Sequence, residues 1–352
     1  MTKFSAAVLG AGSWGTALAI LLAGKGVDTI LWSRNRDFSE KIKHAGENTK
    51  YLPGVSFPAS LQLTHNLKEA IKDRESVIFA IPSHGLRKVA QEFTEIITGS
   101  PSIPLKAVIS ATKGIENETL LLMSQVMEEV LPPGLSKTIA VITGPSFAEE
   151  VAASVPTAVA VSARDIRLLP YLQEFFSTNT FRVYTNPDFA GVQLGGALKN
   201  VMAIAVGISD GMGFGTNTRA ALITRGLAEM ARLGIKMGAN PLSFAGLAGL
   251  GDLVLTCTGD LSRNRQVGLR LGRGESLSSI ISSMTMIAEG VKTAESAHDL
   301  SLKFGVEMPI TKQVYRVLYK EMNPVEAVKE LLSRPSSHEL PDTANSSFSW
   351  SG

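Results

Sequence analysis

The stretch Gly10-Ala11-Gly12-Ser13-Trp14-Gly15 is a G-x-G-x-x-G pattern between an apolar run at residues 6–9 and a helical pattern that continues through Leu22. In a strand–turn–helix unit, the first glycine makes the turn and the second lets backbone N–H groups approach a pyrophosphate. The third permits close packing of helix on strand, and the helix N-terminus adds a partial positive charge. The pattern therefore predicts a dinucleotide-binding turn; the alternative is a structural glycine turn without a ligand.

The region around this turn, residues 4–24, carries no charged side chain and follows Lys3. A signal peptide or a membrane-spanning helix has the same general pattern. Three closely spaced glycines would weaken a spanning helix, whereas a strand, a turn and a buried helix account for the same apolar content. We therefore expect an uncleaved segment and no integral membrane helix here.

The first half of the chain alternates short β-branched runs with longer helical patterns, which is typical of βαβ units and a mostly parallel sheet. Several runs are apolar at consecutive positions, as in strands that helices cover on both faces. We predict an α/β Rossmann-type N-terminal domain over residues 1–188, with strands at residues 6–9, 29–32, 76–81, 106–111, 138–142, 158–161 and 182–184.

Strand patterns stop after Asn186-Pro187, and the segments that follow have helical spacing. We predict an all-α C-terminal domain over residues 189–334, with helices at residues 189–208, 218–235, 241–248, 267–271, 291–304 and 309–319. Residues 335–352 are polar and rich in Pro and Ser, which predicts a disordered tail.

The composition excludes several classes of protein. The 352 residues include 34 Lys plus Arg and 32 Asp plus Glu, a net charge of +2, which provides no global field to attract nucleic acid or anionic lipid. Cys257 is the only cysteine, so an intrachain disulfide is excluded and a reducing cytoplasm fits best. Cys257 and the five histidines lack metal-ligand spacing, and we predict no metal.

Arg34 follows the predicted second strand, where an NAD-preferring site presents Asp or Glu to the ribose hydroxyls. An arginine there would pair with a 2′-phosphate and stack on adenine, and the nearest acid, Asp37, lies further along. We therefore predict that NADPH is preferred or accepted, with NADH as the other cofactor. The alternative is a solvated surface arginine.

Lys199 is the only formal charge between Asp188 and Asp210. A lysine in such an apolar helix either extends to solvent or is held in a site where burial lowers its pKa towards neutrality. In the second case it is a proton donor for ketone reduction and a base for the reverse oxidation. The residues alone leave both interpretations open.

Asp252 is similarly isolated among the apolar residues 245–255, and a carboxylate there needs a cation or hydrogen-bond donors to remain charged. Lys199 is the candidate partner; Asp252 could also be a helix N-cap, and the two roles are compatible. Further on, Ser262-Arg263-Asn264 offers hydroxyl, guanidinium and amide donors that suit a small phosphate. Nucleic acid is a poor rival, because residues 245–303 contain no Phe, Trp or Tyr for base stacking.

Two loops follow predicted strands at the edge where open α/β sheets bind ligands. One contains Lys113, and the other is the stretch at residues 144–150, whose N–H groups could hold an anion. We expect both loops to face one cleft.

Together these motifs resemble the bacterial NAD(P)-dependent sn-glycerol-3-phosphate dehydrogenase family. The resemblance covers the chain short of the tail and rests on residues 10–15, 110–114, 144–148, 192–200, 246–253, 262–264 and 305–310. Several separated motifs in the same order are more specific than any one of them.

The resemblance implies reversible reduction of dihydroxyacetone phosphate to sn-glycerol 3-phosphate, the backbone precursor of phospholipids, with Lys199 as proton donor and acceptor. It implies substrate contacts from Lys113, Gly144, Ser146, Lys199, Asp252, Ser262, Arg263 and Asn264. Besides Gly10, Gly12 and Gly15, it implies dinucleotide contacts from Ser13, Trp14, Arg34, Lys113, Ala148, Arg263, Ile287 and Glu289.

Two other functions fit parts of the pattern. One is a two-domain dehydrogenase of hydroxy acids, and the other is a non-catalytic protein that senses NADPH. A protein that only senses NADPH would not need the charged side chains of Lys199 and Asp252 within apolar segments. A helical second domain with much apolar surface is compatible with a homodimer.

Overall fold

The N-terminal half is built on an eight-stranded sheet. The computed structural model describes residues 4–99, 105–284, 286, 288–335 and 339. Within them the sheet has the order β10-β9-β8-β7-β6-β1-β2-β5, and all neighbours are parallel except β8 and β9. The sheet strands are β1 (Ser5–Leu9), β2 (Asp28–Trp32), β5 (Gln62–Thr64), β6 (Ser76–Phe79), β7 (Ala107–Ser110), β8 (Ile139–Thr143), β9 (Thr157–Ala163) and β10 (Phe181–Thr185), and a separate hairpin pairs β3 (Glu47–Asn48) with β4 (Leu52–Ser56).

The seven predicted strands are confirmed, as is the mostly parallel sheet. The prediction missed β3, β4 and β5. These strands are short, and β4 contains Pro53 and Gly54, residues that favour turns. The apolar stretch at residues 4–24 forms β1, a turn and a largely buried helix, as expected.

Helices cover both faces of the sheet. Helices α1 and α7 pack with Val8 and Ile78 on one face, and α4 and α5 pack with Leu9 and Phe79 on the other. This two-sided burial explains why the strands are apolar at consecutive positions. The helices of this half are α1 (Ser13–Gly24), α2 (Arg36–Ala45), α3 (Leu67–Ile71), α4 (Ser83–Thr98), α5 (Met123–Val130), α6 (Ala148–Ala152) and α7 (Leu169–Phe176).

The C-terminal half is helical, as predicted. Its helices are α8 (Phe189–Gly211), α9 (Thr216–Lys236), α10 (Pro241–Ala245), α11 (Asp252–Thr258), α12 (Arg263–Gly272), α13 (Leu277–Ser283), α14 (Glu289–Lys303), α15 (Pro309–Tyr319) and α16 (Pro324–Leu332), with a π-helical turn at Leu247–Gly251. The prediction missed α11, α13 and α16; α11 lies in a glycine-rich stretch without clear periodicity. The domain division at residues 188 and 189 stays a prediction, and the predicted tail lies outside the described residues except for Pro335 and Glu339.

Helix α8 is the centre of the helical half. It is long and apolar enough to cross a membrane by length and composition, but its most apolar 18-residue stretch is 83% buried within the protein. Helices α9, α11, α12 and α14 pack around it. Burial on all sides explains a helix that is apolar around its whole circumference.

Glycines bring α8 and α12 into backbone contact. A Cβ atom on Gly207 of α8 would overlap the carbonyl oxygen of Arg265 on α12. Conversely, a Cβ atom on Gly268 would overlap the carbonyl oxygen of Ile204. The two helices therefore form one tightly packed unit, which carries Lys199 on α8 and Arg263 on α12.

Gly207→Ala is expected to destabilise the protein by about 2–3 kcal/mol, because the obstructing atom is backbone and the helices must separate. Urea denaturation measures the loss of unfolding free energy. Gly24→Ala is the matched control, since it is also a helical glycine and a Cβ atom there meets nothing within 4 Å. Equal stability changes for the two variants would contradict this account of the helix crossing.

Candidate active site

The glycine turn has the geometry of a dinucleotide site. Gly10 has a φ of +116°, which disfavours other residues, and a Cβ atom there would overlap the carbonyl oxygen of Ala80. A Cβ atom on Gly15 would overlap the carbonyl oxygen of Gly10, so α1 lies directly against the turn. At Gly12 a Cβ atom would meet nothing within 4 Å, which leaves space beside the N-terminus of α1. These residues fit a pyrophosphate.

Three further predicted cofactor residues surround this turn. Ser13 Oγ lies 3.0 Å from Met286 Sδ, and the indole N–H of Trp14 is buried without a hydrogen-bond partner among the described residues. Ala148 is the first residue of α6, which packs against α1. Ile287 lies outside the described residues.

Arg34 lies two residues beyond the carboxyl end of β2. Its Nη2 atom is 3.2 Å from Oε1 of Glu92 on α4, and both side chains are partly exposed. The sequence did not predict this ion pair.

The centre of the site is a buried carboxylate between two lysines. The side chain of Asp252 is fully buried; Lys113 Nζ donates to its Oδ2 at 2.6 Å, and Lys199 Nζ donates to its Oδ1. Lys199 also donates to Thr256 Oγ1 at 2.8 Å, and Lys113 donates to the carbonyl oxygen of Gly144 at 3.1 Å. Residues from the loops after β7 and β8 and from helices α8 and α11 thus meet at one point.

This environment changes the acidity of Lys199. Burial lowers the pKa of Lys199 to about 7, and the nearby charge of Lys113 also lowers it, while Asp252 acts in the opposite direction. A lysine that titrates near neutrality exchanges a proton readily with a bound substrate. Of the two interpretations left open by the sequence, the structure shows the buried lysine and not the solvent-exposed one.

The structure tests both roles predicted for Asp252 separately. It is the first residue of α11, Gly251 occupies the N-cap position, and the Asp252 carboxylate receives the two lysines. The N-cap interpretation is therefore wrong. Sequence reasoning missed Thr256, although its spacing of four residues from Asp252 places both on one face of α11.

The predicted phosphate residues lie at the start of α12. The Ser262 hydroxyl caps this helix by accepting from the backbone N–H of Arg265 at 3.3 Å. Asn264 Nδ2 donates to Asn200 Oδ1 at 2.9 Å, which links this segment to the neighbour of Lys199. Burial lowers the pKa of Arg263, and the charge of Glu289 acts against that shift.

Glu289 connects the two halves of the chain. Ser83 Oγ, at the start of α4, donates to Glu289 Oε2 at 2.6 Å, and burial raises the pKa of Glu289. On the opposite side, the Asn264 Oδ1 atom accepts from the backbone N–H of Gly290 at 2.8 Å. Sequence reasoning missed Ser83, because nothing in the order of residues predicts its contact with α14.

The two loops at the sheet edge contact each other through Lys113 and Gly144; that both face one cleft stays a prediction. Gly144 accepts from both Lys113 and Ser146, the latter at 3.0 Å. Among the described residues, no group of three His, Cys, Asp or Glu side chains could hold a metal ion.

A Rossmann-type turn and a buried lysine, placed where the sheet meets a helical half, are the arrangement expected of a nucleotide-dependent oxidoreductase. The sequence model of the NAD-dependent glycerol-3-phosphate dehydrogenase N-terminus matches residues 5–169, and that of the C-terminus matches residues 188–329. The chain belongs to this family. The predictions of an NAD(P)-dependent glycerol-3-phosphate dehydrogenase, and of NAD or NADP as its cofactor, are confirmed.

Individual relatives agree with the family. A glycerol-3-phosphate dehydrogenase [NAD(P)+] of Syntrophobacter fumaroxidans is 50% identical over 95% of this chain and 96% of that relative. One from Desulfotalea psychrophila is 52% identical over 94% of this chain and 97% of that relative. The crystal structure of glycerol-3-phosphate dehydrogenase from Coxiella burnetii is 41% identical, covers 94% of this chain and 99% of its own, and has a TM-score of 0.88.

Proposed function

We propose that Lys199 is the general acid that protonates the carbonyl oxygen when dihydroxyacetone phosphate is reduced to sn-glycerol 3-phosphate. A hydride adds to the carbonyl carbon, the C=O π bond breaks, and the oxygen takes a proton from the Lys199 ammonium. In the reverse oxidation, neutral Lys199 removes the hydroxyl proton. The observation that carries this proposal is the burial of Lys199 beside Asp252 and Thr256, with its pKa lowered to about 7.

The remaining residues position the two ligands. We assign the substrate phosphate to Ser262, Arg263 and Asn264, and the area around the carbonyl to Lys113, Gly144, Ser146 and Asp252. Binding energy from the phosphate then orients the carbonyl beside Lys199. Support for this arrangement comes from the link between Asn264 and Asn200, and from the shared partners of Lys113 and Lys199.

The cofactor supplies the hydride when bound. We assign its pyrophosphate to Gly10, Gly12, Gly15, Ser13 and Trp14, its 2′-phosphate to Arg34, and further contacts to Lys113, Ala148, Arg263, Ile287 and Glu289. The space beside Gly12 supports the first part of this assignment, as does the indole N–H of Trp14, which has no hydrogen-bond partner in the part of the chain that the structure describes. Ser83 is a positioning residue, since it holds Glu289.

Arg263→Lys is expected to raise the Michaelis constant for dihydroxyacetone phosphate about tenfold or more, because an ammonium cannot reproduce the two parallel hydrogen bonds of a guanidinium. Steady-state kinetics with varied ketone measures the effect. Arg273→Lys, at the end of α12, is the matched control, because we assign no ligand to Arg273. An unchanged Michaelis constant for Arg263→Lys would move the phosphate site elsewhere.

We further propose that the product serves phospholipid synthesis, that the protein acts in the cytoplasm and that it forms a homodimer. The single buried cysteine is consistent with a reducing compartment. Apolar side chains such as Leu242 and Ile235 that are exposed on the helical half are available for a dimer contact. Sedimentation of the purified chain tests the dimer.

The experiment that tests the function is NADPH oxidation with dihydroxyacetone phosphate against unphosphorylated dihydroxyacetone, repeated with NADH. We expect rapid turnover only with the phosphorylated ketone. Turnover with neither ketone, in a protein that binds the cofactor, would contradict the proposed substrate. Equal turnover with both ketones would contradict the phosphate site.

A further inference from the structure

The Arg34–Glu92 ion pair joins the segment after β2 to helix α4. Arg34 lies just beyond β2, and Glu92 is on α4, which starts after β6. Strand β1, which leads into the glycine turn, lies between β2 and β6 and is parallel to both. The two side chains are 58 residues apart in sequence, and their carboxylate-to-guanidinium distance is 3.2 Å.

A carboxylate beside Arg34 weakens the binding of any anion to the Arg34 guanidinium. A 2′-phosphate approaching Arg34 has to share the guanidinium with Glu92 or displace it, and it brings negative charge close to the carboxylate. The ribose hydroxyls of NAD carry no charge and meet no such competition. The ion pair therefore weakens binding of the cofactor that carries the 2′-phosphate and leaves binding of NAD nearly unchanged.

We propose that Glu92 is a specificity-determining residue, which weakens binding of the 2′-phosphate by pairing with Arg34 and so reduces the preference of the enzyme for NADPH over NADH. This inference rests on the proposed role of Arg34. Glu92 acts through Arg34 and is not a catalytic residue.

Calorimetric titration of the purified protein with NADP+ and with NAD+ tests the proposal without turnover. Because the pair is partly exposed, Glu92→Gln is expected to lower the dissociation constant for NADP+ about two- to fivefold, the usual range for an exposed ion pair. The dissociation constant for NAD+ stays the same. The gain shrinks at high salt, since screening weakens exposed charges.

Two further variants make the result specific. Glu95→Gln makes the same change of charge at an exposed position one turn along α4, and it is expected to leave both dissociation constants unchanged. In an Arg34→Ala background, Glu92→Gln is expected to lose its effect, because the group for which Glu92 competes is gone.

Unchanged or weaker NADP+ binding in Glu92→Gln would overturn the proposal, as would an equal gain in Glu95→Gln or a gain that persists in the Arg34→Ala background. Failure of the proposed function is a separate result. It would show as absent dihydroxyacetone phosphate turnover in the unmodified protein, whatever the NADP+ titrations give.

Discussion

Lys199→Ala is expected to lower turnover in ketone reduction about 10²-fold to 10⁴-fold, the range for loss of a general acid, while the affinity for the cofactor stays nearly intact. The reason is local: Lys199 is buried against Asp252 and Thr256, and alanine leaves no proton donor at that position. Stopped-flow or steady-state turnover at saturating dihydroxyacetone phosphate measures the first quantity, and calorimetry with NADP+ measures the second.

The pH dependence of turnover separates the two possible roles of Lys199, because a purely structural role would not change it. With a Lys199 pKa of about 7, reduction needs the protonated amine and falls as pH rises above that value, while oxidation needs the neutral amine and rises through the same range. Lys199→Ala should remove both limbs. Lys303→Ala, at an exposed position near the end of α14, is the control and keeps them. Wild-type turnover in Lys199→Ala would end the assignment.

Asp252→Asn should have the second largest effect, a loss of turnover of about 10²-fold or more together with a lower melting temperature. The amide has the same shape but cannot neutralise two ammonium groups, and removing one member of a buried charge cluster costs about 3–5 kcal/mol. Because the Asp252 charge raises the pKa of Lys199 against the effect of burial, its loss lowers that pKa further. The falling limb of reduction then moves to lower pH.

Asp260→Asn is the matched control for this experiment. Like Asp252, Asp260 is in an ion pair, in this case with Arg265, but the Asp260 side chain is 92% exposed. Removing its charge is therefore expected to change neither turnover nor the pH profile. If Asp252→Asn lowered only the melting temperature and left the pH limb in place, Asp252 would have a structural role and no influence on Lys199.

The sequence predicted those features that depend on local pattern. Consecutive apolar residues identified the buried strands, and the glycines at residues 10–15 identified the turn, because both signals reflect burial and backbone geometry at neighbouring positions. The isolation of Lys199 and Asp252 in apolar segments correctly predicted that they pair, since each charge needs a partner to be buried.

The features that were missed depend on distant parts of the chain. Ser83 meets Glu289 across 206 residues, and Arg34 meets Glu92 across 58, so neither contact leaves a local trace in the sequence. The short strands β3 and β5 contain too few residues to show an alternation. Helix α11 was missed because tertiary packing, and not periodicity, sustains it next to a π-helical turn.

The backbone contact between α8 and α12 sets the spacing between two parts of the proposed site. Lys199 stands on one helix and the proposed phosphate residues on the other, and the glycines at the crossing let the two backbones lie in direct contact. The distance between the proposed proton donor and the proposed anion site therefore depends on the helix crossing as well as on the two side chains. We therefore expect a ketone phosphate with one more carbon between its two functional groups to fit this spacing poorly.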